Sequence, residues 1–372
     1  MSADDKSEEF EFDSPESWAS AKAYAALFGD VPSSFSSTVR TLLKDHEKND
    51  KKLAASSRFQ VVRILNGPST KAMFYFACQT FRKEQIPDKS YLAVKDLVNL
   101  FEPIDLAAIV GLIYLYKRCT MLCENVKWED LSKAMQLESE VGGHLGSAIP
   151  SIGFGTGLLV GALPHLALCT FKRHDSSSFI HYAKFLEKNK LSFDIVYEAP
   201  RWGCTSLQVA SCLLQNLGFG LEMTEAYVRG LDSRDSLENI KEDYFYRMCI
   251  TRIWIESLLK TGDQPDISMR GAYYPLREEL AELQKVTVPV RTTGPVYAWL
   301  EKTKDDATVE KTPMLFRKSA VAAAAVVKDE ETAVEYPPEL LEAFSVEELE
   351  KMSKEELDKL VAQMKEDKED SA

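Results

Sequence analysis

Leu145-Gly-Ser-Ala-Ile-Pro150-Ser-Ile-Gly-Phe-Gly155-Thr-Gly-Leu-Leu-Val160-Gly-Ala-Leu-Pro-His165-Leu-Ala-Leu-Cys-Thr170-Phe171 runs for 27 residues without an Asp, Glu, Lys or Arg. A run of this length is long enough to cross a bilayer, so its reading decides the kind of fold. Pro150 and Pro164 interrupt backbone hydrogen bonding. Gly153, Gly155, Gly157 and Gly161 lower helix propensity, and His144, Ser147, Ser151 and His165 add polarity. Gly157 and Gly161 stand four apart, a spacing that lets helices approach closely in a membrane and equally in a protein core. The stretch reads as the buried central helix of a globular domain, with no membrane span expected. The alternating glycines from Gly153 to Gly157 imitate a phosphate-binding loop. Such a loop needs a preceding strand and a following Lys or ribose-binding acid, and the sequence supplies neither.

Outward from this core the pattern is helical. Trp18, Ala21, Ala25 and Phe28 share one face of a short helix over Ser17–Phe28. Val39–Leu43, Phe59–Leu65, Ala72–Phe81, Tyr91–Phe101 and Leu106–Tyr116 repeat apolar residues at spacings of three and four. The single strand-like run, Thr287–Thr292, is broken by Pro289. The fold class is all-α. Residues 17–262 form the helical domain, preceded by an acidic disordered segment over 1–16. Residues 263–336, with Pro265, Pro275, Pro289, Pro295 and Pro313, read as an extended arm and linker, and Ser319–Val327 as a short helix or low-complexity piece. Residues 337–372 form a charged amphipathic tail with two capping boxes, Ser345 to Glu348 and Ser353 to Glu356, and no core of its own.

The 372 residues are 45% apolar and 28% charged, a globular composition with enough chain to bury a sizeable core. The net charge of −13 lies at the ends. Residues 1–16 carry seven acids against Lys6, residues 328–372 carry sixteen acids against six lysines, and the body between is +3. Without a basic face to release counterions from phosphates, nucleic acid is not expected as a partner. Seven scattered cysteines with no CxxC pair read as free buried thiols of a reducing cytosol, with Cys119 and Cys123 on one face if their segment is helical. The polar, acidic start Met1-Ser-Ala-Asp-Asp5 is unlike a secretory signal, so a cytoplasmic location is expected.

The search for an active site is unproductive. Only five histidines occur, none in an HExxH pattern; His174-Asp175 precedes three serines and reads as a loop, and His174 and His181 lack an acid to complete a metal shell. No Gly-x-Ser-x-Gly elbow occurs. Cys204 lies close to Arg201, which would lower a thiol pKa, but no base is in evident reach. No catalytic residue, cofactor or metal ligand is assigned.

Three segments between about 130 and 260 resemble the HDOD domain, a helical signalling module related to HD-type metal-dependent phosphohydrolases. Leu158-Leu-Val-Gly-Ala-Leu-Pro-His165-Leu-Ala-Leu168 is similar to the family's central apolar helix, and Phe179–Leu186 to the helix after it. Glu198-Ala-Pro-Arg-Trp202-Gly-Cys-Thr-Ser206-Leu-Gln-Val-Ala-Ser-Cys-Leu-Leu214-Gln-Asn-Leu-Gly218-Phe219 resembles the family signature in order and spacing. The family's N-terminal helices map more loosely onto 35–130. The departures matter. The His-Asp pair of the enzymes falls on Pro164-His165 or on Val160-Gly161, so its bridging carboxylate is missing, and Ser206 stands where many relatives carry His.

The resemblance implies a non-enzymatic bacterial signal-transduction or scaffolding protein that works through protein–protein contacts. The tail residues Leu349, Met352, Leu357 and Leu360 would supply docking anchors at helical spacing for an unidentified protein partner. An alternative is a divergent phosphohydrolase drawing ligands from His144, His165, His174, Asp175 or Asp194. Another is a sensor that keeps the ancestral pocket for a nucleotide, lined by His165, Glu198, Arg201 and Ser206, with Arg201 on phosphate. Simpler roles stand beside these: a core histidine at His165, a cap or an ion pair with Arg201 for Glu198, a core anchor at Trp202, and a solvated surface for the tail acids.

Overall fold

The computed structural model describes residues 13–87, 92–232, 237–303, 306 and 336–369. Among them there is no strand, and seventeen α-helices carry the chain. In order these are α1 (Pro15–Ala26), α2 (Ser33–Lys48), α3 (Ala55–Leu65), α4 (Pro68–Phe81), α5 (Val94–Leu97), α6 (Pro103–Leu122), α7 (Glu129–Ala148), α8 (Phe154–His174), α9 (Ser176–Asn189), α10 (Ile195–Trp202), α11 (Ser206–Leu217), α12 (Leu221–Leu231), α13 (Asp243–Lys260), α14 (Arg277–Thr293), α15 (Pro338–Ala343), α16 (Val346–Lys351) and α17 (Lys354–Glu369). The chain divides into two compact units, each built from two stretches of sequence. One is Met1–Val31 with Tyr114–Pro295, and the other is Pro32–Ile113 with Val296–Ala372.

The first unit is organised around α7 and α8, the most extensively paired helices in the chain. The uncharged run is therefore two helices rather than one: α7 ends at Ala148, Ile149 to Gly153 makes the turn, and α8 begins at Phe154. Pro150 sits in that turn, whereas Pro164 lies inside α8 without ending it. Every residue of α8 from Phe154 to Phe171 is buried, and packing on all sides holds the helix through the missing hydrogen bond. α8 is long and apolar enough to cross a membrane, but its apolar window is wholly buried inside the protein, as in a core helix. The glycines explain the intimacy of the pair. A methyl group added at Gly157 would land on the carbonyl oxygen of Gly142, one at Gly146 on that of Gly153, and one at Gly161 on that of Glu138. Only hydrogen side chains permit this backbone separation.

Local signals set the neighbouring helix ends. Ser14 caps α1 by accepting from the Ser17 amide at 3.2 Å, with Pro15 in the first turn. Asp175 caps α9 and Asp194 caps α10 in the same way, at 3.0 and 2.8 Å. Thr205 and Gln208 form a reciprocal capping box at the start of α11. Gly203, at φ +70°, supplies the left-handed residue that ends α10 and lets α11 depart. In the aromatic core the ring of Trp202 stacks on Phe171, centroids 4.6 Å apart and planes within 7°. Trp202 is thus the core anchor that the sequence implied.

Two sequence expectations change. The arm over 263–336 is not extended throughout: Arg277–Thr293 is a regular helix that packs on α7, with Leu283, Thr287 and Val290 buried and Pro289 accommodated inside it. The strand-like run Thr287–Thr292 is part of that helix. Ser319–Val327 lies outside the described residues, as does 1–12 of the acidic segment; the remainder of that segment already enters α1.

In the second unit the tail closes on its own chain. Both capping boxes form: the Ser345 amide donates to Glu348 at 2.8 Å and the Ser353 amide to Glu356 at 2.9 Å. α15 and α17 lie against α3. Phe344, Leu349 and Leu360 are 1%, 0% and 2% exposed, as deeply buried as Leu42, Leu65, Phe74 and Phe76 of the same unit. Lys95 donates to the carbonyls of Leu341 and Phe344 at 3.0 and 2.8 Å, satisfying the end of α15, and Arg58 pairs with Glu348 at 2.7 Å. The tail is part of this unit's core.

Candidate functional site

Along α7 most inward positions are small or apolar, but Glu138 is a carboxylate with only 4% exposure. Its Oε1 lies 3.1 Å from Nε2 of His165 on α8 and accepts from the Ser192 hydroxyl at 2.5 Å. Its Oε2 receives Nη1 of Arg252 on α13 at 2.6 Å. The same guanidinium donates through Nε to Glu256 at 2.9 Å and lies over the Phe193 ring at 5.0 Å; Lys260 joins Glu256 at 3.2 Å. Burial by itself would raise the Glu138 pKa, but Arg252 and His165 overcome it and hold the carboxyl well below its ordinary range. Burial likewise works against the charged form of Arg252, and the two glutamates hold it positive regardless. The result is a desolvated ion network in which an arginine is the cation.

Another buried carboxylate stands on α10. Glu198, fully buried, accepts from the Tyr182 hydroxyl and from the Ser206 amide, the latter at 2.6 Å. The Tyr182 oxygen in turn accepts from the Asp194 amide at 2.7 Å. One carboxylate therefore ties together α9 through Tyr182, α10 itself and the first turn of α11. Burial pushes the Glu198 pKa up to about 7, against the lowering effect of the donors around it. Burial and the neighbouring Glu198 also raise the Tyr182 hydroxyl far above its ordinary value.

Arg201 faces the other way. The inward stripe of α10 is Glu198, Ala199 and Trp202, and Arg201 falls outside it, exposed, with its guanidinium on the Ser178 hydroxyl. It lines an open groove of about 610 Å³ together with Phe185, Asp194, Val196, Tyr197 and Pro200. The rings of Phe185 and Tyr197 pack at 4.8 Å on this face, and Val196 is 65% exposed.

Of the four residues assigned to an ancestral pocket, Glu198 and Ser206 share a hydrogen bond, Arg201 lines the surface groove, and His165 joins Glu138. Arg201 is not the partner of Glu198 as expected, because Tyr182 and the Ser206 amide fill that role. The alternative metal ligands are likewise dispersed. Asp175 and Asp194 cap helices, and His174 packs edge-on against Tyr24 at 5.3 Å. Of the tail anchors, Leu349 and Leu360 are buried within their own unit, and Met352 and Leu357 are half-buried. Sequence reading missed Glu138, Tyr182, Ser192 and Arg252. A carboxylate among small residues just ahead of the uncharged run was the available signal for Glu138. Arg252, 114 residues later, gave none.

No family model, curated protein or solved structure matches this chain.

Proposed function

We propose that the protein is a non-enzymatic, cytoplasmic signalling or scaffolding protein of bacterial type, an HDOD-like helical domain that acts through contacts with a protein partner. The observation that carries this reading is the Arg252 guanidinium on Glu138. Glu138 and His165, on facing positions of the two central helices, bring together a carboxylate and an imidazole of the kind a phosphohydrolase uses for metal. A fixed positive charge on one oxygen of that carboxylate opposes a divalent cation and offers no Lewis acid to activate water. The partner-binding face is the groove of α9 and α10, where exposed Val196 and the Phe185–Tyr197 pair present an apolar surface beside Arg201. The tail is assigned a structural role, since its apolar stripe is used within its own unit.

The test has two arms. Purified protein supplied with Mn²⁺, Fe²⁺ or Mg²⁺ is expected to turn over neither phosphomonoesters nor cyclic dinucleotides. A photo-crosslinking residue at Val196 is expected to give a discrete protein adduct in cells, while one at the equally exposed Leu276 does not. Metal-dependent turnover abolished by His165→Ala, with no adduct at Val196, overturns the reading. The groove favours one second reading, a nucleotide sensor. A planar guanidinium beside two aromatic rings suits a phosphate and a base together. Calorimetric binding of a nucleotide that Arg201→Met abolishes would select it.

A further inference from the structure

Cys119 and Cys123 face the same way because they stand one helical turn apart, Cys119 in the last turn of α6 and Cys123 just past its end, its amide bonded to the Cys119 carbonyl at 2.9 Å. Cys169 comes from α8, fifty positions away. The three sulfurs lie within 4.8 Å of one another, and all three residues are buried, at 0%, 2% and 0% exposure. Three sulfurs on metal–sulfur bonds of about 2.3 Å in a trigonal plane stand about 4 Å apart. The cluster needs to contract by less than an ångström to reach that geometry. Among the described residues no His, Asp or Glu ligand atom completes the group. A four-coordinate ion would thus have to take its last ligand from water, which a site this buried admits poorly.

We propose that Cys119, Cys123 and Cys169 form a three-thiolate site for a single thiophilic d¹⁰ cation, with Cu(I) as the occupant. Soft thiolates select copper(I) and zinc over hard cations, and zinc adopts four ligands almost without exception. The end of α8 supplies balancing charge: Lys172 and Arg173 follow Cys169 within one turn and both act on the cluster. Three thiolates with Cu(I) carry a charge of −2, which those two cations offset. At rest, burial resists a thiolate anywhere in the cluster. Hydrogen bonds from Cys119 and Cys169 draw the Cys123 thiol down, while burial raises those of Cys119 and Cys169. Loading of the three thiols follows Cu⁺ + 3 RSH → [Cu(SR)₃]²⁻ + 3 H⁺, with each proton released to solvent and no change in oxidation state.

The experiment uses the full chain, reduced and under argon, titrated with Cu(I) held by a chromogenic chelator. The expected result is withdrawal of one Cu(I) per chain from the chelator. An ultraviolet thiolate-to-copper band should appear. At least tenfold slower iodoacetamide labelling is expected at Cys119, Cys123 and Cys169, with none at Cys212 or Cys249. Cys123→Ser, just past the end of α6, is expected to weaken Cu(I) at least a hundredfold, while Cys212→Ser leaves it unchanged. Copper left wholly with the chelator, equal affinity in Cys123→Ser, or unprotected cysteines overturns the site. Displacement of Cu(I) by equimolar Zn²⁺ overturns the choice of ion. Should Cys169→Ser fail to fold, the labelling pattern of the unaltered chain decides the matter.

Discussion

Glu138 and Arg252 show why a buried ion pair is seldom neutral to its neighbours. Each is desolvated, and each is kept charged by the other. Removing one partner takes from the second its main buried counter-charge, so Arg252→Met or Glu138→Gln is expected to cost about 3–5 kcal/mol. The double variant Glu138→Met/Arg252→Met should cost clearly less than the sum, a difference that urea melts of the four proteins would measure. Glu198 behaves in the opposite sense. Its folded pKa of about 7 lies above the ordinary 4.5, so the folded protein holds a proton that the unfolded chain releases. Stability from this group is complete below pH 4.5 and is lost as pH rises through 7, about 3 kcal/mol over that window. Glu198→Gln should therefore gain on the unaltered protein as pH rises from 4.5 to 7. A constant difference across that range would contradict the assignment. At this scale the sequence marked Glu198, His165, Arg201 and Ser206 as residues of interest but misjudged their company. Glu198 and Ser206 meet across a turn of eight residues, a distance local pattern can bridge. The partner of His165, Glu138, comes from another helix, and no local pattern reports it.

Helix ends were the most legible elements, because a cap depends on residues three or four apart. Ser345 with Glu348 and Ser353 with Glu356 form as their spacing implies. The glycine spacing of α8 was legible as a close-packing surface, but its counterpart on α7, Gly142 and Gly146, was not paired with it. The two helices now make a specific claim on size. Gly157→Ala would drive a methyl into the Gly142 carbonyl, a clash with backbone that no rotamer relieves. It is expected to lower stability by at least about 3 kcal/mol, in the range of severe core defects. Gly220→Ala, whose added carbon meets nothing, should be nearly neutral in the same thermal melts. The proline-rich stretch has the local pattern of an extended arm, yet a helix forms straight through Pro289. In α14 the burial of Leu283, Thr287 and Val290 against the first unit outweighs one absent hydrogen bond.

Over the whole molecule, each compact unit draws on two distant parts of the chain. Pro338 to Met364 returns to finish a core begun at Pro32, and Leu340, Phe344, Leu349 and Leu360 are each at most 2% exposed. Burying a large apolar side chain contributes about 1.5–3 kcal/mol. Four of them therefore make a term comparable with the whole stability of a domain. Truncation after Tyr336 should raise hydrogen exchange in α3, α4 and α5 at least tenfold and leave α11 and α13 unchanged. Uniform protection would show the tail to be dispensable. By itself the sequence determined the all-α class, the buried nature of the uncharged run, the caps and the acidic ends. Each of these rests on composition or on spacings within two helical turns, where covalent connectivity fixes the geometry. Only the tertiary structure decided that Arg252 neutralises Glu138, that Cys169 joins Cys119 and Cys123, and that the tail is core rather than bait. Those contacts join segments that are 46 to 290 residues apart, and their partners are selected by packing, which leaves no periodic mark on the chain.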